Sequence, residues 1–405
     1  MSSDFSDIVV LGAGIAGYTV AAELIRAGSQ QRIVVIGEEP DAPYDRPPLS
    51  KEFLLNGDES ALHFSELPQS QVEFWLGDPA VEVDTGQRVV RTANGRSLMW
   101  ERIIFATGTV PRSVEPSSAA GRIHMLRTLA DARWIRESVC RASSILLVGG
   151  GPIGLELAAY ARNQDLKTTV IDAADVLMAR SIPTVVGEHL YRFHTQRGVE
   201  VRLKSPIARI GESGTVYLVD GTEITADMTV VGIGVRANDE LAHRAGIATE
   251  DGILVDEWFR TNVPSVFAVG DVARQRSAAT GLYERNETWS SARDQAVALA
   301  KILMDPEGAA PFVGTPWFWS DQGGMYVQGA GSVRAELQTI RGDLAVESYS
   351  VLQWESGRLV GVASVNSPRE FQLLRKVIGM QASLDPDEIS DPGCNLKMRL
   401  KALLQ

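Results

Sequence analysis

The stretch Ile8-Val9-Val10-Leu11-Gly12-Ala13-Gly14-Ile15-Ala16-Gly17 decides how this chain reads. Four apolar residues make a strand, and GxGxxG opens a helical stretch that runs to about Ala27. A second apolar run, Ile33-Val34-Val35-Ile36, ends at Gly37-Glu38. Strand, glycine turn, helix, strand and acid, in that order, are the parts of a dinucleotide-binding unit. Gly12 permits the tight turn, Gly14 lets backbone approach a pyrophosphate, and Gly17 lets helix and strand pack closely. N–H groups at the helix start face phosphate charge, and Glu38 stands where a carboxylate accepts from a ribose diol.

The device recurs mid-chain. Ile145-Leu146-Leu147-Val148 leads into Gly149-Gly150-Gly151-Pro152-Ile153-Gly154, a helix from Leu155, and a strand Thr168-Thr169-Val170-Ile171 ending at Asp172. A lone glycine turn also arises from packing, whereas two copies with strand, helix and acid in register point to two bound dinucleotides. Two such sites imply a relay in which a nicotinamide hands a hydride to a flavin, the rings stacked about 3–3.5 Å apart. Asp172 favours NADH over NADPH, because a carboxylate accepts from a ribose 2′-OH and repels a 2′-phosphate. Arg180 reads either as a pyrophosphate- or adenine-side contact or as an ordinary surface arginine.

Composition narrows the classes. A chain of 405 residues suggests two or three domains. With 39 Lys+Arg against 51 Asp+Glu, the net charge of −12 argues against a nucleic-acid binder. Hydrophobic content of 44% and charged content of 22% are those of a globular protein, not a disordered one. Cys140 and Cys394 form no CxxC, so no redox dithiol or cysteine-ligated cluster is expected, and five histidines without HxxxH spacing give no metal site. Met1 to Asp7 carry no positive charge and no apolar core, and no apolar run reaches the ~18 residues of a membrane span. The expectation is a cytoplasmic protein with no membrane contact.

Further motifs add a resemblance. Arg102-Ile103-Ile104-Phe105-Ala106-Thr107-Gly108 precedes Pro111-Arg112, and Thr261-Asn262-Val263-Pro264-Ser265-Val266-Phe267-Ala268-Val269-Gly270-Asp271 comes later. With both glycine turns, these resemble the two-dinucleotide flavoprotein reductases of the glutathione-reductase fold. The implied fold is α/β: two Rossmann-like dinucleotide-binding domains, for FAD and NAD, plus a C-terminal α+β domain. Where dithiol members carry a cysteine pair, this chain reads Pro43-Tyr44-Asp45-Arg46-Pro47-Pro48-Leu49-Ser50-Lys51. That segment is similar to the NADH:ferredoxin reductases of bacterial aromatic-ring dioxygenase systems, as are Leu126-Arg127-Thr128-Leu129, Glu287-Thr288-Trp289 and Pro316-Trp317-Phe318-Trp319-Ser320-Asp321-Gln322. The biphenyl type is nearest, with Trp at 289, and the putidaredoxin-reductase type next; the likeness covers essentially the whole chain.

The resemblance implies FAD contacts from Gly12, Gly14, Ile15, Ala16, Gly17, Glu38, Arg46, Lys51, Val81, Ala106, Thr107, Gly108, Arg127, Gly270, Asp271, Glu287, Thr288 and Trp289. It implies NAD contacts from Gly149, Gly151, Pro152, Ile153, Gly154, Glu156, Asp172, Arg180, Gly232, Ile233 and Gly234. By the same likeness the Lys51 ammonium lies at the flavin N5 edge, Glu156 lies near Lys51 and the nicotinamide carboxamide, and Trp319 lines the flavin edge that faces ferredoxin. Residue type alone allows plainer roles: Lys51 as an exposed first-turn lysine behind a Ser50 N-cap, Glu156 as a helix-start acid, Trp289 and Trp319 as core.

The implied function is an FAD-dependent NADH:ferredoxin oxidoreductase. It takes a hydride from NADH and passes single electrons to a small [2Fe-2S] ferredoxin that feeds a Rieske-type oxygenase, acting as monomer or homodimer without a metal. The two-nucleotide core leaves open a rubredoxin, monodehydroascorbate or nitrite-system reductase. A reading from another class is a signalling flavoprotein of the apoptosis-inducing-factor type.

Domain boundaries are expected at 1–112 and 240–312 for the FAD domain, 113–239 for the NADH domain and 313–405 for the C-terminal domain. Val216 to Val219 turns at Asp220-Gly221 as a hairpin, and Val230-Val231 delivers Gly232-Ile233-Gly234. Ser348 to Gln353 and Leu359 to Val365 alternate as a second hairpin. Ser367-Pro368-Arg369-Glu370 is expected to open a helix with a capping box. Residues 313–405 hold nine Lys+Arg and ten Asp+Glu, so the other 312 residues carry −11. A near-neutral C-terminal face is therefore the least repulsive side for an acidic partner, with Arg369, Arg375 and Lys376 as contacts or as a solvated helix face.

Overall fold

The computed structural model describes residues 4–113, 123–211, 214–278, 280–380 and 382–403. The chain folds into two compact units, one of Met1–Pro47, Asp58–Val110 and Val235–Gly314, the other of Pro48–Gly57, Pro111–Gly234 and Thr315–Gln405. The Lys51 segment and the C-terminal domain thus cluster with the second glycine turn.

In the first unit the parallel strands Val72–Trp75, Ile33–Ile36, Asp4–Leu11, Ser97–Phe105 and Val266–Ala268 lie in that order. Asp4–Leu11 sits where the strand order reverses, its Leu11 level with Ile36 on one side and Phe105 on the other. Ligands of open α/β sheets bind beyond the carboxyl ends of strands at such a reversal. The helix Ile15–Arg26 buries Ala16, Gly17, Val20, Ala21 and Leu24, small and branched side chains that let it pack along the helix Trp289–Met304. Strands covered on both faces read as unbroken apolar runs, and Ile33–Ile36 is buried at all four positions.

The second unit repeats the plan. Its strands Glu200–Arg202, Lys167–Ile171, Ser144–Val148, Met228–Val231 and Ile123–His124 lie side by side, with Val148 level with Ile171 and Val231. The expected hairpin forms from Val216–Leu218 and Glu223–Ile224. The C-terminal segment is an antiparallel sheet in the order Trp317–Asp321, Tyr326–Gly331, Arg358–Val365, Ser348–Glu355, Leu337–Asp343. Phe371, Leu374 and Val377 of the helix Pro368–Met380 join Leu352, Trp354, Leu359 and Val362 in its core.

Two expected caps do not form. Ser367 Oγ meets Ser348 Oγ at 3.0 Å, and the Glu370 carboxylate accepts from Arg341 at 3.0 Å. Arg341 is buried and also donates to the carbonyls of Ile389 and Cys394. A desolvated guanidinium needs an anion more than a helix start needs a cap, so Glu370 serves the arginine. Ser50 ends a 3-10 turn, Pro47–Ser50, and Lys51 rather than Ser50 holds the N-cap position of the short helix Glu52–Asn56.

Candidate functional site

The two glycine turns are built alike. In the first unit Gly12 N–H donates to the Ile36 carbonyl at 2.8 Å and Ala106 N–H to the Leu11 carbonyl at 2.8 Å. In the second, Gly149 N–H donates to Ile171 and Gly232 N–H to Val148, at 2.8 and 2.7 Å. Gly12 and Gly149 have φ of 111° and 114°, and a methyl on them would strike the carbonyls of Ala106 and Gly232. Methyls on Gly17 and Gly154 would strike the carbonyls of Gly12 and Gly149. These four glycines are explained by the fold.

Gly14 and Gly151 are not. Each is the N-cap of its helix with φ of −74° and −80°, ordinary for any residue, and neither receives a side-chain cap. A Cβ there would meet nothing within 4 Å. The protein therefore needs no glycine at either place, but a group brought against the uncapped N–H donors does. A dinucleotide pyrophosphate fits both cradles.

Around the first turn, Ile15 is half-buried and Ala16 buried, and Gly270, at φ 76°, brings its backbone against Ala16. Asp271 is the middle residue of the short helix Gly270–Val272 and is half-buried, with Thr109 Oγ1 at a long 3.5 Å from Oδ2. Glu38 is exposed at the end of its strand, while Glu39 accepts from Tyr44 Oη at 2.5 Å and Arg46 at 2.7 Å. Trp289 Nε1 donates to Asp45 at 2.7 Å, so the Tyr44–Arg46 segment and Trp289 are one hydrogen-bonded assembly. Thr107 Oγ1 donates to the Asn238 carbonyl at 2.7 Å and Gly108 has φ 66°, which leaves Ala106 to Gly108 as a backbone wall. Thr288 caps the helix Trp289–Met304, and Glu287 is paired with Arg285 at 2.7 Å. Val81 lies on the strand Ala80–Asp84, separated in the sheet order from Asp4–Leu11 by two strands, with its side chain exposed.

Around the second turn, Asp172 accepts from Gly150 N–H at 2.6 Å and Ala174 N–H at 2.7 Å. Each carboxylate oxygen keeps a further acceptor site, so the acid is fixed by backbone and can still accept from a ribose. Arg180 is exposed and lies over Gly234, whose Cβ would stand 3.2 Å from the guanidinium. Ile153 is 46% exposed at the first turn of the helix Pro152–Asn163, an apolar side chain beside the uncapped donors. Gly232, Ile233 and Gly234 follow the strand Met228–Val231 as expected. Arg127 precedes the helix Leu129–Val139, its N–H donating to Asp131 at 3.0 Å.

The same unit holds a buried ion pair. Lys51 Nζ lies 2.8 Å from Glu156 Oε2, and the two side chains are 13% and 3% exposed. Ser50 Oγ donates to the same oxygen and Ser320 Oγ donates to Oε1 at 2.6 Å. Burial leaves the Glu156 carboxyl above its ordinary value, against the downward pull of Lys51 and the two hydroxyls. Lys51 is no ordinary surface lysine. Sequence reasoning singled out Lys51 and Glu156 but missed Ser50 and Ser320 as their partners, because nothing in a serine's type marks it as a ligand of an acid 106 or 164 positions away.

The structure does not bring Trp319 to that pair. Side chains alternate along a strand, and Ser320 takes the Glu156 side of Trp317–Asp321. Trp319 meets Trp317 at 5.6 Å with the two rings tilted by 36°, and Trp317 itself meets Phe371 of the covering helix at 5.9 Å. Among the described residues no group of three or more His, Cys, Asp or Glu is placed to hold a metal, and no helix is long and apolar enough to cross a membrane.

Two glycine cradles at two sheet reversals, with a buried acid–lysine pair beside the second, define a reductase that holds two dinucleotides. The model of the pyridine nucleotide-disulphide oxidoreductase family matches residues 6–296, and that of the reductase C-terminal domain matches 317–400. The ferredoxin–NAD(+) reductase component of the p-cumate 2,3-dioxygenase system of Pseudomonas putida is 37% identical, over 98% of this chain and 99% of its own. The ferredoxin reductase for the CYP199A2 system from Rhodopseudomonas palustris superposes with a TM-score of 0.93 at 32% identity, over 98% of this chain and all of that one. The reductase in the covalent putidaredoxin reductase–putidaredoxin complex gives 0.91 at 30% identity, over 98% of each chain. The chain belongs to the pyridine nucleotide-disulphide oxidoreductase family and is an oxidoreductase that uses FAD and NAD(H).

Proposed function

We propose that this protein is an NADH:ferredoxin oxidoreductase that supplies electrons, one at a time, to a small [2Fe-2S] ferredoxin serving a Rieske-type oxygenase in the cytoplasm. The observation that carries the reading is the pair Gly14 and Gly151, glycines that neither backbone strain nor packing requires. In this reading the FAD pyrophosphate lies on the first cradle, with Glu38 toward its ribose and Asp271 toward its ribityl chain. NADH lies on the second, with Asp172 toward the adenine ribose and Arg180 on its phosphate side. When bound, FAD supplies the chemistry that accepts a hydride and releases electrons singly.

The chain's own residues orient and polarise. Glu156 would accept from the nicotinamide carboxamide N–H when NADH is bound, and Lys51 neutralises the acid so that it is stable without water around it. Neither group has to carry a proton during hydride transfer. Cys140 and Cys394 are both free, so no redox disulfide takes electrons from the flavin as in dithiol members of the family. Likeness to reductases named for dioxygenase and ferredoxin systems supports the external iron–sulfur acceptor.

The test is a panel of acceptors with the FAD-loaded protein and NADH. A [2Fe-2S] ferredoxin should be reduced at a kcat/KM at least about 100-fold above rubredoxin or ascorbyl radical, a difference of about 2.7 kcal/mol in barrier. Equal rates with all three acceptors would remove the ferredoxin from the proposal.

A further inference from the structure

Behind Glu156 runs a chain of buried polar groups that the hydride step does not use directly. Ser320 Oγ donates to Glu156 Oε1 at 2.6 Å, Gln322 Nε2 lies 3.2 Å from Ser320 Oγ, and Gln322 Oε1 lies 2.8 Å from His194 Nε2. Ser320, Gln322 and His194 are all 0% exposed. They come from the C-terminal strand Trp317–Asp321, the turn after it and the helix Thr184–Gln196, within the same unit as Glu156.

The three bonds run one way. A buried neutral histidine presents Nε2–H to an amide oxygen, which turns the Gln322 amide so that its NH₂ faces Ser320. The serine oxygen is then occupied as an acceptor, and its proton is left for Glu156. Such a chain ends well only on an acceptor with no proton of its own. The direction holds with the proton on Nε2, the tautomer that an amide oxygen at 2.8 Å selects, and burial pushes the ring's pKa down.

We propose that Ser320 and Gln322 of the C-terminal domain, backed by His194 of the helix Thr184–Gln196, are positioning residues that hold Glu156 ionised and aimed, so that the C-terminal domain contributes to the hydride step as well as to acceptor docking. The nicotinamide end of the proposal rests on the function proposed above; the ionisation of Glu156 does not. The charged group facing Glu156 is Lys51, from the Pro48–Gly57 segment, and the neutral ones are Ser50 and Ser320. Removing the Ser320 hydroxyl deletes one hydrogen bond to a charge, which raises the carboxyl by about one pH unit.

The experiment compares Ser320→Ala, Ser320→Thr and the parent as FAD-loaded proteins. Infrared titration of the resting protein, with Glu156→Gln to assign the band, follows the Glu156 carboxyl without NADH. Stopped-flow flavin bleaching then gives the pH profile of the reductive step. In Ser320→Ala both the infrared midpoint and the acid limb of the rate should move up by about one pH unit, and Ser320→Thr should restore both. An unmoved infrared midpoint, with only a lower melting temperature, would overturn the proposal. An infrared midpoint that moves in a protein NADH cannot bleach would keep the positioning of Glu156 and remove the function it was thought to serve.

Discussion

Lys51 and Glu156 form the residue-scale centre of this protein. A buried acid beside one lysine costs little only while both partners remain, since breaking such a pair leaves an uncompensated charge. Lys51→Met should therefore slow NADH-driven flavin bleaching by about 10- to 100-fold, or about 1.4 to 2.7 kcal/mol of barrier, and raise the Glu156 carboxyl further. A bleaching rate within a factor of two of the parent would assign the lysine to stability alone. Ser320, not Trp319, meets that pair, and the Trp319 ring lies 5.6 Å from Trp317. Trp319→Ala should then slow the transfer to ferredoxin while sparing bleaching by NADH. Equal slowing of both steps would identify the ring as packing.

At the scale of elements, the glycine turns separate what the fold needs from what the ligand needs. Gly12→Ala forces an L side chain to φ 111° and into the Ala106 carbonyl, so little folded protein is expected. Gly14→Ala changes only an N-cap in open space, a cost of about 1 kcal/mol or less. It should fold with a melting temperature of the apoprotein within a few degrees of the parent, yet bind FAD at least about 10-fold more weakly by fluorescence titration. Unchanged FAD affinity would mean that the space before the helix Ile15–Arg26 is not a phosphate site. These turns were legible in the sequence because every constraint on them is local: strand, turn, helix and acid lie within about 30 residues. The capping box at Ser367 was misread for the opposite reason. Its Glu370 answers to Arg341, on a strand that only the tertiary fold brings near, and a buried guanidinium outbids a helix end.

On the scale of the whole molecule, distance along the chain also limited what could be read. The two nucleotide sites and the C-terminal sheet were visible from motif and alternation. The Ser50–Glu156–Ser320 assembly was not, since its members come from three segments whose meeting no periodicity encodes. Segment order misled as well, because Pro48–Gly57 follows the first cradle in sequence but clusters with the second. His194 extends that assembly and carries a stability signature. Burial depresses its folded value below 6.5, so the unfolded chain takes the proton first. The stability it contributes is complete above pH 6.5 and is lost as pH falls through that value toward the depressed one. Denaturant unfolding between pH 6.5 and 5 should show the parent losing up to about 1.4 kcal/mol per pH unit more than His194→Gln; parallel curves would show that the imidazole titrates alike in both states.

The whole arrangement is tested most directly by mixing the purified FAD-loaded protein anaerobically with NADH or NADPH and following the flavin absorbance, beside a Gly151→Ala variant. NADH should bleach the parent rapidly, NADPH should do so with at least about 100-fold lower kcat/KM because Asp172 repels a 2′-phosphate, and Gly151→Ala should require much higher NADH for the same rate. A protein that binds no FAD, that NADH leaves oxidised, or that Gly151→Ala leaves unaffected would contradict the two-cradle relay.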